Sequence, residues 1–178
     1  MGVDPGLNRT GWAVLSGGIG SPPRLEAAGL LHTPAGRSLE DRLADIFNGL
    51  RKLIAGHSPS CLAVEEVYFM KAASSVAATI QARGVILLAA KLEGRPVKSY
   101  NPRTVKMTLT GNGNALKSQM QRMVQLTLGL EETLKPDDVA DAAAIALCHL
   151  RRGTLVSKIN ASLTVITENS KFQASNPN

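Results

Sequence analysis

Aromatic side chains are nearly missing from this chain: they make up 3% of its 178 residues. A core without them has to be filled by Ala, Val, Leu and Ile lying close together. Cysteine is as scarce. Cys61 and Cys148 are the only two and form no Cys-x-x-Cys pair, so they read as reduced core residues of a cytosolic protein. Apolar runs are short, and Val85 to Ala90 falls far below a membrane span. No basic region with an apolar stretch precedes Asp4, so a secretory leader is not expected and the expected location is cytoplasmic. What remains is a globular composition, 44% hydrophobic and 19% charged, long enough to bury a core without staples.

The most informative absence is of acids. Between Glu93 and Glu131 there is no Asp or Glu, while Arg95, Lys98, Arg103, Lys106, Lys117 and Arg122 all fall in that window. The chain has 20 Lys and Arg against 14 Asp and Glu, a net charge of +6. Outside the window bases and acids cancel, so the whole excess lies in one stretch. A polyanionic partner, nucleic acid, is the simplest physical reason. A solvated helix face is the bland one.

Along the chain, Met1 to Asp4 is a short apolar entry closed by the turn pair Pro5-Gly6. Thr10 to Leu15 and Arg24 to His32 read as strands, with a loop holding Pro22 and Pro23 between them. Ser38 starts a helix whose apolar stripe is Leu39, Leu43, Ile46, Leu50, Leu53 and Ile54, closed at Gly56. Cys61 to Val67 is a strand, apolar on both faces until Glu65 and Glu66, and therefore central. Ser74 to Leu92 is a helix apolar nearly all round, which predicts either a sandwiched helix or a second face for self-association. Pro96 to Tyr100 is a strand. Helices follow from Pro102 to Gly111, from Ala115 to Leu128, and from Lys135-Pro136-Asp137-Asp138 to about Arg152. The domain expected is 1–152, with a polar, partly disordered tail at 153–178. The order predicts an α/β sheet that begins as a meander and continues through helical crossovers.

Three carboxylate signals stand out. Asp4 ends the first strand. Glu65 and Glu66 interrupt a strand that should be buried, where an unpaired carboxylate costs several kcal/mol, on the order of a domain's net stability. Asp138 and Asp141 share a face with Ile145 and Cys148 by 3-4-3 spacing. Asp137 reads as a helix cap, but Asp141 sits one turn in, where capping does not explain it. An ion pair with the basic window would neutralise such acids; so would a divalent metal. Oxygen ligands suit Mg²⁺ or Mn²⁺, while His32, His57 and His149 show no ligand spacing and read as structural. Clustered carboxylates beside a basic surface point to a two-metal phosphodiester hydrolase.

The stretch Gly2-Val3-Asp4-Pro5-Gly6 with Thr10-Gly11 resembles the start of the RuvC family of bacterial Holliday junction resolvases. So do Ala63-Val64-Glu65, Gln81-Ala82-Arg83-Gly84, Tyr100-Asn101-Pro102-Arg103 through Lys106, Gly111 and Gly113, Lys117-Ser118-Gln119, Met123-Val124, and Asp138 with Asp141-Ala142 and Ala144. The resemblance runs from residue 2 to about 152. It implies an RNase H-like fold, a five-stranded mixed sheet flanked by helices. It implies a cytoplasmic homodimer that cuts opposed strands of four-way junction DNA with two Mg²⁺ or Mn²⁺ ions per site, alongside the branch-migration proteins RuvA and RuvB. Asp4, Glu65, Asp138 and Asp141 match the family's catalytic, metal-holding carboxylates, and Lys106 and Lys117 its phosphate-contacting lysines. Tyr68 falls where the family has a base-stacking Phe. Phe69, Lys71, Arg103 and Arg122 complete the expected DNA-binding set. Glu66 stands where the family has Gln, and Ala72 where it has Asn. The rival readings are a YqgF-type nuclease of the same fold class and a non-catalytic junction-binding dimer. Actin-like ATPases also open with an Asp-x-Gly strand, but this chain is too short for their two lobes.

Overall fold

The computed structural model describes residues 1–18, 20–67 and 73–153. Tyr68, Phe69, Lys71 and the expected tail from residue 154 onward lie outside the described residues. Within them, β1 (Gly2–Asp4), β2 (Arg9–Gly18) and β3 (Ser21–His32) form an antiparallel meander. Helix α1 (Leu39–His57) crosses to β4 (Leu62–Glu65), and α2 (Ala73–Leu92) crosses to β5 (Val97–Tyr100). Both β4 and β5 run parallel to β1, giving one five-stranded sheet in the order β3-β2-β1-β4-β5. Then come α3 (Pro102–Thr110), α4 (Lys117–Leu128) and a last helix, α5, over residues 137–153. This is the mixed, helix-flanked sheet of an RNase H-like fold, as expected. No helix among the described residues is long and apolar enough to cross a membrane.

The sheet separates two cores, and the pleat decides which side chain joins which. Val3, Val14, Leu62 and Val64 point toward α1 and α2, where Ile46, Leu50, Ile54, Ile86 and Ala89 meet them. Ala13 and Ala63 point the other way, into a core with Val105, Leu109, Met120, Val124 and residues 142–148. The α5 side is built from small groups. Ala142, Ala143, Ala144 and Ala146 are buried in a row, and α5 rests directly on the strands. A Cβ on Gly2 would lie 2.1 Å from the Ala142 carbonyl oxygen.

Several boundaries differ from expectation. Pro22 and Pro23 belong to β3 rather than to a loop. That strand is an edge, and its register shifts between Val14 and Leu15 and between Ser16 and Gly18, so the ladder does not need two proline N–H groups there. Helix α1 is capped at its start by Ser38, whose hydroxyl accepts from the Asp41 N–H at 3.2 Å. It ends not at Gly56 but at Ser58, which takes the left-handed conformation at φ 44° and donates its N–H to the Ile54 carbonyl. Strand β4 stops at Glu65, short of Val67. Cys148 is buried, whereas Cys61 is only half-buried. Asp137 accepts from Gln121 Nε2 at 2.9 Å and pairs with Lys117 at 3.3 Å, tying α5 to α4.

Candidate active site

The pleat brings the carboxylates together. Asp4 follows Gly2 by two residues and Glu65 follows Ala63 by two, so both face α5. Gly2 pairs with Ala63 and Val3 with Val64 in parallel register, which sets Asp4 and Glu65 side by side at the strand ends. Glu66 takes the opposite side of the pleat. Across the antiparallel ladder Asp4 faces Gly11. A Cβ on Gly11 would lie 2.0 Å from the Asp138 carbonyl oxygen, so the first turn of α5 lies against that strand only because the residue is glycine. One helical turn carries the chain from Asp138 to Asp141 on the same face. Two strand ends and one helix start thus converge on one corner.

Other groups fix that corner. The turn between β1 and β2 is held by the Thr10 hydroxyl on the Gly6 carbonyl at 2.8 Å and by the Thr33 N–H on the Asn8 carbonyl at 3.0 Å. The buried Arg42 donates to the Asn8 side chain and to Thr33 Oγ1 from α1. Arg83 of α2 donates its Nε to the Glu65 carbonyl at 2.9 Å and an Nη to Ser99 Oγ at 2.8 Å, pinning the end of β4. Arg151 does the same at the far end of α5, donating to the Thr108 carbonyl at 3.2 Å and Thr127 Oγ1 at 3.1 Å.

The electrostatics are those of acids crowded away from water. Burial, then the charges of Glu65 and Asp141, push the Asp4 carboxyl up to about 8. Burial raises Glu65 as well, opposed by a hydrogen bond from Asp4. Asp141 is also raised by burial, although the Lys117 ammonium lies 2.9 Å away and works against it. Asp138 pairs with Arg9, whose nitrogen is 3.0 Å from Oδ2 but off the line of a hydrogen bond, leaving that buried oxygen without one. Two of the four carboxylates are therefore engaged by cationic side chains. As they stand, no three acids among the described residues have metal-holding spacing. The donor set itself is all carboxylate oxygen, the chemistry that Mg²⁺ and Mn²⁺ accept, so these residues fit a hard divalent ion.

Glu65, Lys106, Lys117 and Asp141 line a cleft of about 180 Å³ with Pro102, Val105 and Met120. Lys106 and Lys117, expected together near the acids, are indeed together. Arg103 and Arg122 are not in this cleft. Arg103 lies along Gly113 and borders a groove with Thr104, Met107 and Arg152. Arg122 bonds Gln125 at 2.8 Å beside Asn112 and Gln119. Sequence reasoning missed Arg9 and did not single out Arg83 within its motif. The histidines have other partners: His149 Nδ1 is 2.7 Å from the Tyr100 hydroxyl, and the His57 ring stands 5.7 Å from Trp12.

A sheet of this order, with carboxylates at the ends of β1 and β4 and the start of the last helix, puts the chain in the RNase H-like class. The family model for crossover junction endodeoxyribonuclease RuvC matches residues 1–149. The crossover junction endodeoxyribonuclease RuvC of Chloroflexus aggregans is 44% identical over 91% of this chain and 98% of its own. That of Moorella thermoacetica is 47% identical over 84% and 89%. The RuvC of T. thermophilus, solved in complex with a Holliday junction substrate, superposes with a TM-score of 0.82 at 32% identity, covering 86% of this chain and 93% of that one. This chain belongs to the RuvC family of crossover junction endodeoxyribonucleases.

Proposed function

We propose that this enzyme resolves four-way DNA junctions by divalent-metal-dependent phosphodiester hydrolysis, with Asp4, Glu65, Asp138 and Asp141 as the metal-holding residues. The observation that carries this reading is the crowding of Glu65, Asp138 and Asp141 around Asp4, from three separate elements, beside a cleft that Glu65 and Asp141 share with Lys106 and Lys117. Mg²⁺ or Mn²⁺, two ions per site, would supply an acidified water and stabilise the leaving 3′ oxygen. The chain's own residues do the rest. Asp4 and Glu65, side by side at the strand ends, would hold the ion as carboxylates. Lys117 leaves Asp141 and Asp137 for a phosphate oxygen, and Lys106 meets the same strand. Arg103 and Arg122 lie farther out and track the backbone of the arms. Tyr68 stacks on an opened base, and Phe69 and Lys71 belong to the same DNA-binding set.

Paired cuts need two sites related by a two-fold axis. Helix α2 supplies the surface. Its outward stripe holds Ile80, Leu88 and Leu92, at 36%, 53% and 63% exposure, with Gly84 between them on the same face. Ile86, in the middle of the same apolar run, is fully buried against α1; a helix apolar all round conceals which face looks out. A homodimer joined through the Leu88 face acts in the cytoplasm, with RuvA and RuvB as its expected partners. The test is a synthetic four-way junction and a matched duplex, incubated with Mg²⁺ or Mn²⁺. Paired symmetric nicks on the junction and an intact duplex are the expected result. A protein that binds the junction and nicks neither DNA with either ion would be a junction binder, not a resolvase.

A further inference from the structure

Arg9 is a cation of the candidate site that the acid-free window does not contain. It opens β2 and shares a face with Gly11, because side chains two apart on a strand point the same way. Gly11 seats the Asp138 backbone against that strand. The Arg9 guanidinium then lies over the seated carboxylate, 3.0 Å from Oδ2. That oxygen is buried and accepts no hydrogen bond. The contact is thus an ion pair without the directional bond that makes such pairs strong, one that a phosphate oxygen accepting from the same guanidinium can draw away. The two partners differ in freedom as well. The Arg9 side chain is 52% exposed and that of Asp138 only 20%. The turn behind Arg9 is stapled by Thr10 and Thr33, so the side chain swings while its root stays in place.

We propose that Arg9 is a positioning residue, the resident counter-ion of Asp138. In the DNA-free protein its guanidinium competes with a divalent cation for this carboxylate. When a DNA phosphate draws the guanidinium away, Asp138 is released to the metal. Metal uptake is in this way coupled to substrate binding, and a DNA-free enzyme is kept poorly loaded. The inference rests on the reading of Asp138 as a metal ligand.

The test titrates Mn²⁺ into the full, DNA-free protein and counts free ion by its electron paramagnetic resonance signal. Removing a unit positive charge at this distance from the ligand is expected to tighten Mn²⁺ binding about three- to tenfold in Arg9→Gln and Arg9→Ala. Arg9→Lys, which keeps the charge, should stay within about twofold of wild type. With a junction carrying non-hydrolysable linkages bound, the gap between wild type and Arg9→Gln should close. Melting curves establish that each variant is folded. Unchanged or weaker Mn²⁺ binding in both neutral variants overturns the inference. Asp138→Asn separates the two levels. If it binds Mn²⁺ as wild type does, the ligand assignment itself fails. If it binds weakly while the neutral Arg9 variants match wild type, the Arg9 inference alone fails.

Discussion

The two faces of the sheet are packed by different means. On one, α1 and α2 lie on Val3, Val14, Leu62 and Val64 through branched aliphatics such as Ile46, Leu50 and Ile86. On the other, α5 lies on Gly2, Gly11, Ala13 and Ala63 through a row of alanines. Bulky side chains bury more apolar area per residue. Small ones let backbones approach and leave little play. The aliphatic face contributes stability and has apolar surface left over at Leu88 and Leu92; the alanine face contributes placement, and the acids sit there.

The strongest test of that division is charge removal on the site face. Asp4→Asn, Glu65→Gln, Asp138→Asn and Asp141→Asn should each cut junction cleavage by about a thousandfold or more, since metal-held charge stabilisation amounts to several kcal/mol. Junction binding, read by gel shift in Ca²⁺, should be kept or tightened, because a negative charge facing phosphate is gone. Gly11→Ala comes next. Its methyl meets a backbone oxygen that cannot swing aside, so we expect about 3 kcal/mol of lost stability. Cleavage by the folded fraction should fall about a hundredfold as α5 lifts, read from urea melts and single-turnover assays. A folded Gly11→Ala enzyme with full activity would show that close approach is not what places the acids.

On the opposite face the same kind of change should register elsewhere. Ile86→Ala should cost about 2–5 kcal/mol of stability while the folded fraction still cuts. Leu88→Glu should leave the melting curve nearly unchanged and yield a monomer by light scattering, with single nicks within about tenfold and paired nicks lost. Should Leu88→Glu remain dimeric, the α2 stripe is not the interface. A separate effect is that of pH on the metal-free protein. Folded Asp4 keeps its proton up to about pH 8, whereas its ordinary value is 3.8. Between those values the folded state binds a proton that the unfolded chain has released, so this carboxyl makes stability fall as pH rises through the window. Asp4→Asn should remove that share of the slope in urea melts at pH 5 and 8.

How much of this was legible beforehand follows the same division. Glu65 and Asp141 show in the sequence because they interrupt apolar runs. Alternation separates Glu65 from Glu66 but does not choose between them; the family motif did, and the β1–β4 register sets Glu65 beside Asp4. The α/β order, the helix starts at Ser38 and Pro102 and the helix end at Gly111 were legible, because local hydrogen bonds decide the outcome there. What could not be read needed a partner far along the chain. Arg9 meets Asp138 only because α5 returns to β1. Ile86 is inside and Leu88 outside because α1 covers one side of a helix whose sequence does not distinguish them. Pro22 and Pro23 looked like a loop because edge position is a property of the finished sheet.

Helix α5 is buried from Val139 to Cys148 except at Asp141, and that has a kinetic meaning. An element enclosed by sheet, α3 and α4 cannot open by itself; its amides exchange with solvent only when the whole domain does. The acids it carries share that fate. Heat should therefore abolish metal-binding capacity and tertiary structure in one transition, with no partly folded species that has lost the site but kept the sheet.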